Sequence, residues 1–90
     1  MKFISQIIEV HPYEITVEFN NSEKRKINFK PMLENFPSLN DEKTFRSVSL
    51  DDYPTIKWDG LAMIQDYDGK IVPAPLDFCP DTLFQMSVPV

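Results

Sequence analysis

Residues 13 to 20 alternate strictly between apolar and polar side chains, and this pattern constrains the fold more than any other feature of the chain. Apolar side chains stand at the odd positions, Tyr13, Ile15, Val17 and Phe19, with polar ones at the even positions between and after them. Because successive side chains of a β-strand point to opposite faces of a sheet, this period of two predicts a strand with one buried and one solvated face.

A second alternating segment follows after a turn. Asn20–Glu23 is rich in residues that favour turns, and Lys24–Lys30 then returns with Ile27 and Phe29 on its apolar side. The β-rich segment Lys2–Val10 precedes both strands, and its imperfect alternation predicts a bulge or burial on both faces. We therefore predict a meander of three antiparallel strands.

Two further hairpins are predicted in the second half of the chain. Phe45–Leu50 and Thr55–Trp58 form the first of them, which should extend the first sheet or pack beside it. Leu61–Gln65 and Lys70–Val72 form the other, around an Asp68–Gly69 dipeptide of the kind that favours tight turns.

Helical segments are short and are marked by proline and capping residues. Single helical turns are predicted at Pro31–Phe36 and after Asn40–Lys43, and a short helix near Cys79–Phe84 has Pro80 at its first helical position. The chain is therefore predicted to be one α+β domain over residues 1–90. It should contain an antiparallel sheet of about five to seven strands and roughly one to three short helices.

The inward positions of the predicted strands should form one apolar core. Its members are Tyr13, Ile15, Val17, Phe19, Ile27, Phe29, Val48, Leu50, Ile56 and Trp58. The final segment, Leu83–Val90, carries no charged side chain. Because terminal residues fray unless something holds them, this tail either docks on its own sheet or completes an interface with another chain.

Charge is distributed unevenly along the chain. Residues 1–50 carry seven basic and seven acidic side chains, whereas residues 51–90 carry two lysines against seven aspartates, so the whole net charge of −5 lies in the second half. These aspartates are either turn residues or an acidic face that meets a basic partner. Direct binding to nucleic acid is not expected, because that affinity comes from Lys and Arg neutralising phosphates.

Cysteine content and hydropathy predict the compartment. Cys79 is the only cysteine, which excludes an internal disulfide and fits a reducing cytosol. The first ten residues lack the apolar core of a secretory signal, and no stretch approaches the roughly 20 apolar residues of a membrane span. We expect a soluble cytoplasmic protein that does not bind membranes.

No residue pattern nominates a catalytic or cofactor site. His11 is the only histidine and is predicted to face solvent at a strand end. Cys79 has no base assigned to it by the sequence and is predicted to be a packed, inert side chain. Asp66–Gly69 places two aspartates before a glycine as calcium loops do, but it lacks the remaining ligands and is predicted to be a hairpin turn. We expect no enzyme activity, metal or cofactor.

The only basic cluster is Lys24, Arg25 and Lys26, which follow Glu23. On a strand, the two lysines share one face and the arginine points to the other. The cluster is predicted to protect an edge strand from sheet-to-sheet association. Contact with an acidic partner is the alternative.

Four segments together resemble a known family. They are the Thr55–Trp58 strand, the ending Leu76–Phe84, a hairpin of the kind that Tyr13–Phe29 provides, and Phe45–Val48 in the middle. In this combination the chain resembles domain of unknown function 2442, a family of small bacterial proteins. Members typically end with an aromatic strand and then an Asp-x-x-Pro-Asp-x-Leu-aromatic motif. This chain departs from the pattern at residues 59–76, which resemble an inserted hairpin.

The resemblance implies an α+β fold built on an antiparallel sheet and a role as a regulatory or toxin–antitoxin-like partner module. Some members are fused to a helix-turn-helix domain, and many are encoded beside another small protein. The family has no catalytic residues to carry over, and we interpret Asp77, Pro80 and Asp81 as a capped helix start. The residues of the motif and the candidate partner contacts are Trp58, Asp77, Pro80, Asp81, Leu83 and Phe84.

Three functions remain open at this point. The first is a non-enzymatic protein-binding or regulatory module, the acidic member of a two-protein system. The second is a metal-dependent hydrolase that uses the C-terminal aspartates Asp66, Asp68, Asp77 and Asp81. The third is a purely structural homodimer.

Overall fold

Two antiparallel sheets share one apolar core in the computed structural model, which describes residues 2–52 and 54–90. The strands are β1 (Ile4–His11), β2 (Glu14–Phe19), β3 (Lys24–Asn28), β4 (Ser49–Leu50), β5 (Ile56–Gln65), β6 (Ile71–Asp77) and β7 (Ser87–Pro89). The α-helices are α1 (Glu42–Arg46) and α2 (Pro80–Met86), and single 3-10 turns lie at Lys30–Met32 and Pro37–Asn40. The predicted α+β class is confirmed.

The first sheet has the strand order β1-β2-β3-β7 and contains the predicted meander. In its central hairpin Ile15 lies opposite Ile27, and both are fully buried together with Val17 and Phe19. On the other face the Glu14 carboxylate lies 3.3 Å from Lys26 Nζ. Strand β1 shows two register shifts against β2, so the predicted irregularity is also present.

The prediction that Lys24–Lys30 forms an exposed edge strand was wrong, because β7 pairs with β3 on the side away from β2. Arg25 holds this pairing: its Nε donates to Ser87 Oγ at 2.6 Å and its Nη2 to the Ser87 carbonyl at 3.0 Å. Alternating charge shows which face of a strand is solvated. It does not show whether the backbone edge of that strand has a neighbour.

The second sheet has the order β4-β5-β6 and contains the two later hairpins. Only Ser49–Leu50 of the predicted Phe45–Leu50 strand is extended, because Phe45 lies in α1. The Asp41 carboxylate caps this helix by accepting hydrogen bonds from Thr44 N at 3.0 Å and Thr44 Oγ1 at 2.8 Å. Leu50 is 39% exposed, contrary to its predicted place in the core, since a two-residue strand beside a turn presents no continuous inner face.

An aromatic cluster joins the two sheets. Trp58 of β5 is fully buried, and its ring packs within 6 Å of the rings of Phe29, Phe45 and Phe78. Its indole Nε1 donates to the Phe45 carbonyl at 2.9 Å. Around the cluster the predicted core residues are fully buried, except for Leu50 and for Tyr13 and Val48, which are half-buried against it.

We expect Val17→Ala to lower the free energy of unfolding by about 1–3 kcal/mol, because truncating a buried aliphatic side chain removes its contacts and leaves a cavity. The control is Val88→Ala on β7, where the side chain is exposed and the change should stay within about 0.5 kcal/mol. Urea unfolding of both variants measures the difference. Equal effects at the two sites would contradict the assigned core.

The hydrogen bonds from Thr44 hold the pKa of Asp41 below its ordinary value. Whatever stability this cap contributes is therefore present above the unfolded-state pKa and lost as pH falls through the lower folded-state pKa. Thr44→Val should raise the pKa of Asp41 by removing the side-chain hydrogen bond, and a carboxyl NMR titration measures it. Lys43→Gln is the control and should change the pKa of Asp41 less, because the charge of Lys43 makes the smallest contribution to the lowering of that pKa. An Asp41 pKa unchanged by Thr44→Val would refute this cause.

Candidate interaction surface: the β5–β6 arm

Strand β5 begins in the core and continues beyond it, and β6 returns alongside it from the tip to the core. Trp58 pairs with Leu76 at the base, and after a register shift the ladder resumes from Ala62 opposite Ala74 to Gln65 opposite Ile71. We call residues 59–77 the arm. The molecule measures 44 × 27 × 18 Å along its principal axes, so it is clearly elongated.

Two glycines shape the arm. Gly60 lies in the register shift with φ +75°, and Gly69 lies in the tip turn with φ +80°. Both values are in the left-handed region that favours glycine. The tip turn is closed by hydrogen bonds from Asp66 N to the Lys70 carbonyl at 2.9 Å and from Gly69 N to the Asp66 carbonyl at 3.0 Å. The turn predicted from the Asp-Gly dipeptide is confirmed.

Both faces of the arm are apolar. Cross-strand pairs place Ala62, Ile64, Val72 and Ala74 on one face, and Met63, Gln65, Ile71 and Pro73 on the other. No charged residue occurs in Gly60–Gln65 or in Ile71–Leu76. Only one polar side chain, that of Gln65, therefore lies among the two paired segments.

The apolar side chains of the outer arm are exposed. Met63, Ile64 and Ile71 present 64%, 53% and 65% of their surface to solvent, and Tyr67 at the tip is fully exposed. Near the tip, a shallow groove of about 450 Å³ is lined by Ile64, Gln65, Asp66, Tyr67 and Val72. A two-stranded ribbon alone is marginally stable in water, and exposed apolar patches mark contact sites. The arm is therefore the candidate site.

Acidic residues border the apolar surface at both ends. Four aspartates lie in the arm, Asp59, Asp66, Asp68 and Asp77, against one lysine, Lys70, so its formal charge is −3. At the base the Asp59 carboxylate accepts a hydrogen bond from Lys57 Nζ at 2.8 Å, which raises the pKa of Lys57. At the tip, no cationic side chain of residues 2–52 or 54–90 lies within 4.0 Å of the carboxylates of Asp66 and Asp68.

The motif residues singled out from the sequence lie at the junction of the arm with α2. Trp58, Pro80 and Leu83 are buried, where a partner cannot contact them in the folded chain. Asp77 and Asp81 are exposed. Pro80 opens α2 and Asp81 lies in its first turn, as predicted for a helix start, although the Cys79 side chain makes no capping hydrogen bond.

Phe84 and Asp81 connect α2 to the first sheet. The Phe84 ring is half-buried and lies 4.3 Å from both Lys2 Nζ and the Arg25 guanidinium carbon. It also packs edge-on against Phe19. The Asp81 carboxylate accepts a hydrogen bond from Lys2 N at 2.9 Å. These contacts hold the C-terminal helix and tail on the domain.

Cys79 is exposed, which corrects the prediction of a packed side chain. Its neighbours Phe78 and Pro80 both turn toward the core, so the residue between them faces outward. It lines a cleft of about 290 Å³ together with Thr55 and Asp77. His11 faces solvent as predicted, with its Nε2 3.0 Å from Glu9 Oε1.

The aspartates proposed for a hydrolase are divided among separate elements. Asp66 and Asp68 lie at the arm tip, Asp77 at the end of β6, and Asp81 in α2. Within residues 2–52 and 54–90, no three His, Cys, Asp or Glu side chains are grouped closely enough to hold a metal ion.

Comparisons with known proteins returned no match to this chain among protein-family models, curated proteins or solved structures. None of the helices in the described part of the chain is long and apolar enough to cross a membrane.

Sequence reasoning predicted the hairpin in residues 59–76 but missed its exposed apolar surface. A signal was present: two uncharged segments, Gly60–Gln65 and Ile71–Leu76, flank an acidic turn. The same pattern also occurs in strands that are buried on both faces. Only the position of the arm outside the core distinguishes the two cases.

We expect the double variant Met63→Thr, Ile71→Thr to change the free energy of unfolding by no more than about 0.5 kcal/mol per site, because both side chains are exposed. Leu83→Ala is the contrasting variant and should cost about 2–5 kcal/mol, since Leu83 is fully buried. Thermal and urea unfolding of the isolated protein measures both. A loss in the double variant as large as that in Leu83→Ala would show that the arm side chains stabilise the fold.

Proposed function

We propose that this chain is a non-enzymatic protein-binding module and that the arm is its contact surface. The observation that carries the proposal is the exposure of Met63, Ile64 and Ile71 on a ribbon whose two faces are both apolar. Exposed apolar side chains of this size are stabilised when a second protein surface removes them from water.

The shape and charge of the arm favour a protein as its ligand. Small-molecule sites are concave and enclose most of the ligand, whereas the arm is an exposed two-stranded ribbon with only a shallow groove. Four aspartates at its base and tip oppose binding to nucleic acid and to the anionic surface of a membrane. An apolar surface with an acidic border suits a protein whose own apolar patch has basic neighbours.

We further propose that the partner is the second member of a two-protein, toxin–antitoxin-like system in the cytoplasm. The support is the resemblance to domain of unknown function 2442, many of whose members are encoded beside another small protein. Net charge of −5 and the single cysteine agree with this role. In the proposal this chain is the acidic partner, and residues 59–76 are the segment that adapts it to its own partner.

The test is affinity capture from an extract of the native host, followed by reconstitution with the purified captured protein. Wild-type chain should bind that protein saturably, and the Met63→Thr, Ile71→Thr variant should bind it about tenfold or more weakly, because central apolar contacts each contribute on the order of 1 kcal/mol or more. Ile8→Thr is the matched control, since Ile8 is an exposed apolar residue of the other sheet.

Two results would contradict the proposal. One is equal binding by the wild type and the arm variant, which would place the interface elsewhere. The other is no saturable protein ligand, together with concentration-dependent self-association that the arm variant abolishes. The latter result would favour the structural homodimer.

A further inference from the structure

Three of the four outer strand edges in the described residues are poor templates for another strand. Strand β1 is interrupted by two register shifts, β7 has three residues and ends at Pro89, and β4 has two residues. Bulges, short strands and prolines are the ways in which sheets prevent pairing with other chains. The fourth outer edge is that of β6.

Two prolines protect the outer edge of β6. The hydrogen bond from Asp66 N to Lys70 O makes this pair a hydrogen-bonded one. Hydrogen-bonded and non-hydrogen-bonded pairs alternate along an antiparallel ladder, so Pro73, opposite Met63, occupies a non-hydrogen-bonded pair. Its nitrogen and that of Pro75, two residues on, face the outer edge, where neither can donate.

The same alternation leaves one edge of β5 open. Met63 and Gln65 direct their N–H and C=O groups away from β6, and β4 covers β5 only at Ile56 and Lys57. The part of this open edge that lies in the arm, Asp59–Gln65, is seven residues long, about 23 Å at the usual rise per residue. No strand of residues 2–52 or 54–90 pairs with this stretch on the side opposite β6.

We infer that the arm binds its partner by strand addition: an extended segment of a different protein, apolar at its centre and basic at both ends, pairs with the open edge of β5 over Asp59–Gln65. This inference rests on the proposed function and specifies how the same site is used. Main-chain hydrogen bonds to Met63 and Gln65 supply the pairing. Because both faces of the arm are apolar, the side chains of the added strand, which alternate between the two faces, pack against apolar side chains on each of them.

Charge complementarity selects a basic segment of another protein over a second copy of this chain. Asp59 begins the open edge, and Asp66 and Asp68 follow directly after it. In a two-fold antiparallel pairing of two such edges, the Asp59 end of each copy would lie beside the end of the other copy that leads into Asp66 and Asp68. Like charges brought close together at both ends of the pairing repel each other. Lysine or arginine at both ends of the added strand meets these carboxylates favourably.

Two synthetic peptides test the inference directly on the full chain. The first has the sequence Lys-Lys-Val-Thr-Val-Ile-Val-Lys-Lys, and the second has the same centre with four glutamates at its ends. At low ionic strength the lysine peptide should bind at least about tenfold more tightly, and added salt should reduce the difference. In amide hydrogen exchange it should protect Met63 and Gln65. No binding at millimolar lysine peptide, or protection only at other strands, would overturn the inference.

A pair of variants separates backbone pairing from side-chain contact. Met63→Pro removes the outward N–H without removing a hydrogen bond to β6, and it should abolish peptide binding. Met63→Thr keeps the N–H and should bind within a fewfold of wild type. If Met63→Pro disturbs the arm, a modified lysine peptide tests the same hydrogen bonds on the wild-type chain. In this peptide the backbone nitrogens that would donate to β5, which occur at every second residue, are N-methylated. Undiminished binding of this methylated peptide would overturn strand addition.

The failure of this inference can be told apart from the failure of the proposed function. Suppose that the captured protein no longer binds the Met63→Thr, Ile71→Thr variant but binds Met63→Pro as well as it binds the wild type. The arm would then still be a protein-binding surface, and strand addition would be overturned. Light scattering provides the remaining outcome. A dimer of wild-type chain that Met63→Pro dissociates would show that the occupant is a second copy, which overturns the assignment to a basic segment.

Discussion

The burial of Trp58 is the interaction on which the rest of the structure depends. Its ring lies among Phe29, which follows the central hairpin, Phe45 of α1, and Phe78, which precedes α2. Its indole N–H donates to the Phe45 carbonyl inside the core, where an unpaired N–H would be costly. One side chain of the second sheet thus ties together the first sheet and both helices.

Because Trp58 is itself part of β5, it also anchors the arm. The strand is buried at Ile56 and Trp58 and exposed from Met63 onward, with Gly60 in the irregular stretch between the two halves. The buried half of β5 holds the base of the ribbon, while the outer half has only β6 as a neighbour. The arm therefore exposes apolar side chains that are not needed to fill the core.

This arrangement gives the acidic residues of the second half of the chain a common position around the arm. Asp59 and Asp77 lie at the base of the arm and Asp66 and Asp68 at its tip, so most of the aspartates after residue 52 border one apolar ribbon. Each also occupies a turn or a strand end, where aspartate is common for local reasons. The two explanations are compatible, and the peptide comparison isolates the contribution of charge to binding.

The sequence by itself determined the central hairpin, the irregularity of the first strand, the helix start at Pro80 and the tip turn, because each depends on local periodicity, proline or an Asp-Gly dipeptide. Only the tertiary structure decided that β3 has a second neighbour, since the contact of Arg25 with Ser87 joins residues 62 positions apart. It also decided that Cys79 faces solvent and that Met63 lies outside the core. Periodicity specifies which side chains share a face, whereas long-range packing decides whether that face is covered.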